Sequence, residues 1–309
     1  MEIRNSFPPF ALSCKDIDME PDAELVFKEG FKEYDSTADN DLVICNPAEK
    51  DGYLNRHITN IRIPIMFNYP ASPENNTGKA VLICPGGGYH LLAADKEGHD
   101  FARYFNHIGV SAFVLYYPMP NMNGIPGEFP YLPLRSAQRA MRLIRSQADL
   151  FGIDTDKIGV MGFSAGAHLA SSVSTLWKDT DEKNSEFSGV SSKPDFSILI
   201  YPVITITSDK KHVGSALNLL GENASIVLQE KFSAELQVNA ETPPAFLVQA
   251  EDDGVNIENS ILYYLALRKA GVQGELHFYP EGGHGYGMIQ RGMAIDTWPD
   301  RLRDWIKRI

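Results

Sequence analysis

The sequence has few cysteines, no long apolar run and fewer basic than acidic residues, and each shortage excludes a class of protein. Its cysteines, Cys14, Cys45 and Cys84, are odd in number and far apart, which argues against a disulfide framework and a zinc knuckle. No stretch approaches the roughly 18 apolar residues of a membrane span, and the N-terminus lacks the features of a signal peptide. We therefore expect a cytoplasmic protein without a membrane partner.

The charge balance excludes a further class of partner. Lys and Arg total 28 against 40 Asp and Glu, a formal net charge of −12, which argues against nucleic acid as the main partner. The composition is otherwise that of a globular protein, with 43% hydrophobic and 22% charged residues among 309. We expect one large domain with a full-sized core.

Short apolar runs alternate with helical patterns along most of the chain. Buried strands are predicted at residues 81–84, 112–116, 158–161, 197–201, 245–248 and 276–279. Helices are predicted from about 134 to 148 and from 257 to 270, with an amphipathic segment at the C-terminus, and residues 57–69 alternate as one strand with a wet face. This order predicts the α/β class, with a mainly parallel central sheet and helices on both faces.

Two segments fall outside this alternation. Residues 1–55 are polar and irregular, and we interpret them as an N-terminal covering arm ahead of an α/β domain at 56–309. Residues 203–243 contain no clear strand. We expect them to form an inserted cap or a helical excursion near the functional site.

Gly162-Phe163-Ser164-Ala165-Gly166 fits the pattern G-x-S-x-G. A predicted strand precedes it and a helix of small residues follows, which is the context in which this motif forms a nucleophile elbow. The sharp turn exposes the Ser164 hydroxyl, and the N-terminus of the helix directs backbone N–H groups towards a developing oxyanion. Ser164 is therefore the candidate nucleophile.

A run of three glycines, Gly86 to Gly88, directly follows the predicted strand at 81–84. Glycines let the backbone approach a substrate without a side-chain clash. In an acyl-transfer enzyme this loop supplies oxyanion donors, so we assign the N–H groups of Gly87 and Gly88, together with that of Ala165, to an oxyanion hole. A phosphate-binding loop or a plain flexible loop are the alternatives, although no Gly-Lys-Ser/Thr ending is present.

His284 is the candidate general base. It lies among glycines after the last predicted strand, and a neutral imidazole is suited to proton transfer near pH 7. Its orienting carboxylate is expected in the turn after the strand at 245–248, where Asp252 and Asp253 are adjacent. The chain order Ser, Asp, His is typical of this kind of site. We assign the carboxylate to Asp252 and assign Asp253 to capping the following helix.

With these residues assembled, the chain resembles the α/β-hydrolase superfamily and, within it, the bacterial acetyl-xylan and feruloyl esterase-like branch. The matching segments are 85–89, 162–170, 243–247 and 280–285. The resemblance extends from about residue 62 to the C-terminus, and it also places the acid at Asp252, because that residue lies three positions before Val255 in a D-x-x-V turn. It implies an α/β-hydrolase fold and a Ser-His-Asp triad.

The expected function is that of a serine carboxylesterase. Its substrates would be short acyl esters, chiefly acetyl esters, including those of sugars or xylo-oligosaccharides, and the reaction would pass through an acyl-enzyme without a metal or organic cofactor. The expected partners are a small ester and, in an assembly, further copies of the chain. A prolyl-oligopeptidase-like peptidase, a lactonase or dienelactone hydrolase, and a non-catalytic binding protein on the same fold are the alternatives.

Overall fold

The computed structural model describes residues 55–61, 63–120, 130–179, 187 and 189–309, together with two short strands nearer the N-terminus. The strands are, in chain order, β1 Ala23–Leu25, β2 Val43–Cys45, β3 His57–Thr59, β4 Ile65–Tyr69, β5 Ala80–Cys84, β6 Leu92–Ala93, β7 Ser111–Tyr116, β8 Ile158–Phe163, β9 Ser197–Ile200, β10 Ala245–Ala250 and β11 Gly274–Tyr279. The helices are α1 Asp100–His107, α2 Tyr131–Ser146, α3 Ala148–Phe151, α4 Ala165–Thr175, α5 Val213–Leu220, α6 Ile226–Lys231, α7 Ala234–Gln237, α8 Glu258–Lys269 and α9 Trp298–Ile306.

Eight strands form the central sheet in the order β1, β4, β7, β5, β8, β9, β10, β11. The six strands from β7 to β11 in this order run parallel, whereas β1 and β4 pair antiparallel at one edge. β5, β7, β8, β9 and β10 are buried along their whole length, as continuous apolar strands covered on both faces should be. The predicted parallel sheet is confirmed, and so are five of its six predicted buried strands. The prediction that residues 276–279 are buried was wrong, because β11 lies at the edge of the sheet and is only half-buried.

The prediction of a single strand over residues 57–69 was wrong. β3 belongs to a small antiparallel sheet with β2 and β6, and β4 belongs to the central sheet. Asn60, between them, has a φ of 59°, a left-handed conformation that a continuous strand does not contain. The alternating apolar residues of 57–69 therefore belong to strands of two different sheets.

The N-terminal arm predicted over residues 1–55 lies largely outside the described residues. Within it, β1 pairs with β4 and so adds an edge strand to the central sheet, and β2 pairs with β3. The predicted insertion at 203–243 contains α5, α6 and α7, between β9 and β10. Its function as a cap remains a prediction. Among the described residues, no helix is both long and apolar enough to cross a membrane.

Buried His168 connects the helix of the proposed elbow to this insertion. Its Nε2 donates to the carbonyl of Phe232 at 2.6 Å, and its Nδ1 accepts from the Tyr89 hydroxyl at 2.8 Å. A carbonyl can only accept a hydrogen bond, so this pattern assigns the proton to Nε2. Burial lowers the pKa of His168 to about 4.

The free energy of unfolding should therefore fall as the pH is lowered from about 6.5 to 4. The unfolded chain, with an ordinary histidine pKa of about 6.5, binds a proton in this interval that the folded chain excludes. The loss approaches roughly 1.4 kcal/mol per pH unit. Urea unfolding at pH 7, 6 and 5 should show a shallower dependence for His168→Gln than for the wild type, and equal slopes would contradict this assignment.

Candidate active site

Ser164 occupies the sharp turn between β8 and α4. Its φ of 53° is a strained value for a residue other than glycine, of the kind that is concentrated at functional sites. A Cβ on Gly162 would lie 2.1 Å from the carbonyl oxygen of Gly166, and one on Gly166 would lie 2.1 Å from that of Cys84. Only glycine fits at these two positions, which explains why the motif requires both.

The backbone on both sides of Ser164 is held by hydrogen bonds from other elements. Its N–H donates to the carbonyl of Ile200 at 3.0 Å, and its own carbonyl accepts from the N–H of Val203 at 3.1 Å and of Ala167 at 3.1 Å. The strained turn is thereby fixed to the end of β9. The residue is only 6% exposed, so little of it is accessible from the surface.

His284 lies in the loop after β11, and both its ring nitrogens have partners. Nδ1 donates to Oδ1 of Asp253 at 2.7 Å, and Nε2 accepts from the Oγ of Ser164 at 2.9 Å. The carboxylate acts only as an acceptor and so assigns the proton to Nδ1. Nε2 is then free to remove the Ser164 proton. This arrangement is suited to generating a serine alkoxide.

The assignment of the orienting carboxylate to Asp252 was wrong. Asp253, whose side chain is 0% exposed, contacts His284 and also accepts from the N–H of Val255 at 2.7 Å. Asp252 is exposed, and its Oδ1 accepts from the backbone N–H of Gly283 at 2.7 Å. The turn after β10 directs one of two adjacent side chains inwards and the other outwards, and chain order alone does not distinguish neighbours.

The helix-capping function assigned to Asp253 was also wrong. α8 begins several residues later, with Ile257 at the N-cap position. Asn256 provides the side-chain bond there, since its Oδ1 accepts from the N–H of Glu258 at 2.8 Å. Asp253 is therefore available to bond His284.

The glycine loop after β5 lies against Ser164. A Cβ on Gly86 would be 2.9 Å from the Cβ of Ser164, and Gly87 and Gly88 have φ values of 135° and 65°, which favour glycine. Ala165 is the first residue of α4, where an amide N–H has no partner within the helix. The oxyanion-hole function of Gly87, Gly88 and Ala165 remains a prediction that this arrangement supports.

Two further buried residues, Glu97 and Tyr201, belong to the site, and neither of them was assigned a catalytic role from sequence. Glu97 accepts from the N–H of Gly86 at 2.8 Å and from the Tyr201 hydroxyl at 2.9 Å. The Tyr201 ring lies edge to face against His284, with centroids 4.8 Å apart. Glu97 belongs to the charged run Asp95-Lys96-Glu97, which is typical of a solvated helix, so the sequence contained no signal for it. Tyr201 could be considered only as a pocket or core aromatic.

One face of α5 borders the glycine loop. Asn218 Nδ2 donates to the carbonyl of Gly88 at 2.8 Å, and the Ser215 Oγ would be 3.9 Å from a Cβ on Gly88. His212, at the N-cap of α5, has a pKa lowered by burial and then by the charge of His284. The first helix of the predicted insertion therefore forms part of the rim of the site.

The chain matches a known protein family and two curated relatives. The BD-FAE family model matches residues 69–267. Acetylxylan esterase of Xylanibacter ruminicola is 34% identical to this chain, and the match covers 77% of this chain and 47% of the esterase. Endo-1,4-beta-xylanase B of Butyrivibrio fibrisolvens is 38% identical, and the match covers 72% of this chain and 34% of the xylanase. The chain thus spans less than half the length of these two curated relatives.

A solved structure matches over nearly the whole chain. It is the acetyl ester-xyloside bifunctional hydrolase of Caldicellulosiruptor lactoaceticus, which is 34% identical, with a TM-score of 0.75 over 94% of this chain and 97% of that one. This chain belongs to the BD-FAE family and has the α/β-hydrolase fold.

Proposed function

We propose that this protein is a serine carboxylesterase that hydrolyses short acyl esters, chiefly acetyl esters of sugars or xylo-oligosaccharides. The observation that carries the proposal is the continuous hydrogen-bonded series from Ser164 through His284 to buried Asp253. This series lies beside a glycine loop and a helix N-terminus, so a nucleophile, a base and candidate oxyanion donors converge on one recess. We assign the catalytic triad to these three residues.

In the first step, the Oγ of Ser164 attacks the ester carbonyl while Nε2 of His284 removes its proton. Asp253 stabilises the imidazolium that forms and maintains the tautomer. The carbonyl oxygen becomes an oxyanion, which the N–H groups of Gly87, Gly88 and Ala165 would stabilise. The imidazolium then protonates the leaving alcohol, and the acyl group remains on Ser164.

In the second step, water takes the place of the alcohol. His284 removes a proton from the water, the resulting oxygen attacks the acyl-enzyme, and collapse of the second tetrahedral intermediate returns the proton to Ser164. The free acid then leaves. The chain and water supply every group that these steps use.

The proposed acetyl and xylan-related substrates derive from the relatives. An acetylxylan esterase and an acetyl ester-xyloside bifunctional hydrolase are each 34% identical to this chain. Local geometry supports a small acyl group, since Ser164 is 6% exposed, the Tyr201 ring contacts His284 and α5 contacts the glycine loop. A long acyl chain would have to fit beside these groups.

Initial rates on p-nitrophenyl acetate, butyrate and octanoate, and on an aminoacyl anilide, should fall in that order. We expect acetate to be hydrolysed at least about tenfold faster than octanoate, because each methylene that does not fit costs transition-state binding. Hydrolysis of acetylated xylo-oligosaccharides, followed by acetate release, is the next measurement. Cleavage of the anilide alone would indicate a peptidase, and no turnover of any substrate would indicate a binding protein.

A further inference from the structure

Glu97 is a buried carboxylate whose partners are all parts of the site. It lies in the turn of π-helix Asp95–His99 and is 4% exposed. Among the described residues, no basic side chain forms an ion pair with it, whereas its neighbour Asp95 pairs with Arg56 at 2.7 Å. Buried carboxylates are rare unless paired. A buried carboxylate between two loops of the site therefore indicates that Glu97 has a function in the site as well as in packing.

One oxygen of Glu97 holds the glycine loop. Oε2 accepts from the N–H of Gly86 at 2.8 Å. Gly86 lies between this oxygen and Ser164, because a Cβ added to Gly86 would be 2.7 Å from Oε2 of Glu97 and 2.9 Å from the Cβ of Ser164. Consecutive glycines lose much conformational entropy on ordering. A fixed acceptor at the start of the loop sets the direction in which Gly87 and Gly88 present their N–H groups.

The other oxygen holds Tyr201, which contacts the base. Oε1 accepts from the Tyr201 hydroxyl at 2.9 Å. Burial, and then the charge of Glu97, raise the pKa of Tyr201, so the phenol keeps the proton that it donates. Its ring is fully buried and lies against the imidazole of His284.

Tyr201 also has a strained backbone. Its φ is 38°, a conformation that costs a residue other than glycine on the order of 1–3 kcal/mol. Its N–H donates to the carbonyl of Val248 at 2.7 Å. The residue before it, Ile200, accepts from the N–H of Ser164. The strained residue thus directly follows β9. On one side of it in the chain is Ile200, which bonds Ser164, and its own ring contacts His284.

We propose that Glu97 is a positioning residue that sets the glycine loop and, through Tyr201, the imidazole of His284 in one common geometry. This inference rests on the proposed function, because it assigns the two positioned groups to the oxyanion hole and the base. Glu97 does not itself contact the reacting atoms. Misplacement of catalytic groups by about 1 Å can cost about 100-fold in rate, so a residue that orients two of them has a large effect on turnover.

The test compares Glu97→Gln, Tyr201→Phe and the double variant with a matched control, Tyr104→Phe. The Tyr104 hydroxyl donates to the carbonyl of Pro299 at 2.7 Å, on another part of the molecule. With p-nitrophenyl acetate we expect Glu97→Gln to lower kcat about 10- to 100-fold, with KM within about twofold and the melting temperature little changed. Tyr201→Phe should lower kcat less, the double variant should lose less than the product of the two, and Tyr104→Phe should retain its kcat.

The rate of covalent labelling by a fluorophosphonate provides a readout that requires no ester substrate. Labelling forms a bond between phosphorus and the Oγ of Ser164 and expels fluoride, and it depends on the same base and oxyanion donors. Slower labelling of Glu97→Gln, parallel to its loss of kcat, supports the inference. Unchanged labelling and kcat in folded Glu97→Gln, or a loss only of melting temperature, overturns it while leaving the proposed function intact.

If Glu97→Gln does not fold, the test rests on Tyr201→Phe, which removes a single oxygen atom. A lower kcat of that variant with unchanged KM supports the inference, and an unchanged kcat overturns it. A wild-type protein that neither hydrolyses esters nor reacts with the fluorophosphonate would overturn the proposed function and this inference with it.

Discussion

Asp253→Ala should lower kcat for ester hydrolysis by about 10⁴-fold, whereas Asp252→Ala should stay within about tenfold of the wild type. Removal of Asp253 leaves Nδ1 of His284 without its acceptor, so the imidazole loses its tautomer and the cation formed during attack loses its counter-charge. Removal of Asp252 costs one exposed bond to the N–H of Gly283. The two adjacent acids therefore form a useful pair, because only Asp253 contacts His284.

The measurement is steady-state kinetics of both variants on p-nitrophenyl acetate, with melting temperatures recorded in parallel. Asp253→Ala also leaves the N–H of Val255 without its acceptor, so some loss of stability is expected, and kcat is normalised to folded protein. A larger loss of kcat in Asp252→Ala than in Asp253→Ala would refute the assignment of Asp253 to the triad and restore the assignment of Asp252 made from sequence.

Ser164→Ala should abolish turnover, with a loss on the order of 10⁶-fold in kcat. The substitution removes the only atom that forms the acyl-enzyme, and the residual rate then depends on binding and oxyanion stabilisation alone. An alanine keeps the Cβ and tolerates the φ of 53° about as well as serine does, so the variant should fold. Loss of the bond to Nε2 of His284 is the expected structural change.

Ser172→Ala is the matched control for this variant. Ser172 lies on α4 and is 2% exposed, and its hydroxyl has no hydrogen-bond partner among the described residues. Its replacement by alanine should leave kcat unchanged. Mass spectrometry of protein mixed with the fluorophosphonate should show one adduct in wild type and in Ser172→Ala and none in Ser164→Ala. Substantial ester hydrolysis by Ser164→Ala would disprove the mechanism.

The central sheet could be predicted because its strands are continuous apolar runs, and the elbow because its glycines are required by close contacts of the backbone. The edge strand β1, with only Ala23, Glu24 and Leu25, could not be predicted, since three residues in a polar context have no detectable period. The run over 57–69 was misinterpreted because one left-handed residue, Asn60, separates two strands that share the same alternation.

Within the site, Ser164 and His284 could be predicted because each lies in a distinctive context of glycines. The choice between Asp252 and Asp253 depends on the rotation of a tight turn, a property of the folded backbone that residue identity does not encode. Glu97 shows a second limit. Its partners Gly86 and Tyr201 are 11 and 104 positions away along the chain, and only the folded sheet brings them together.

The turn after β10 and the loop after β11 are joined at two consecutive points, Asp252 to Gly283 and Asp253 to His284. Such a double connection has a consequence for recombination between family members. A chimaera whose crossover falls between these two segments would combine a turn from one parent with a loop from another, and both contacts would have to match by chance. Exchanges that move residues 250–285 as one block keep both contacts and are therefore better suited to recombination between members of this family.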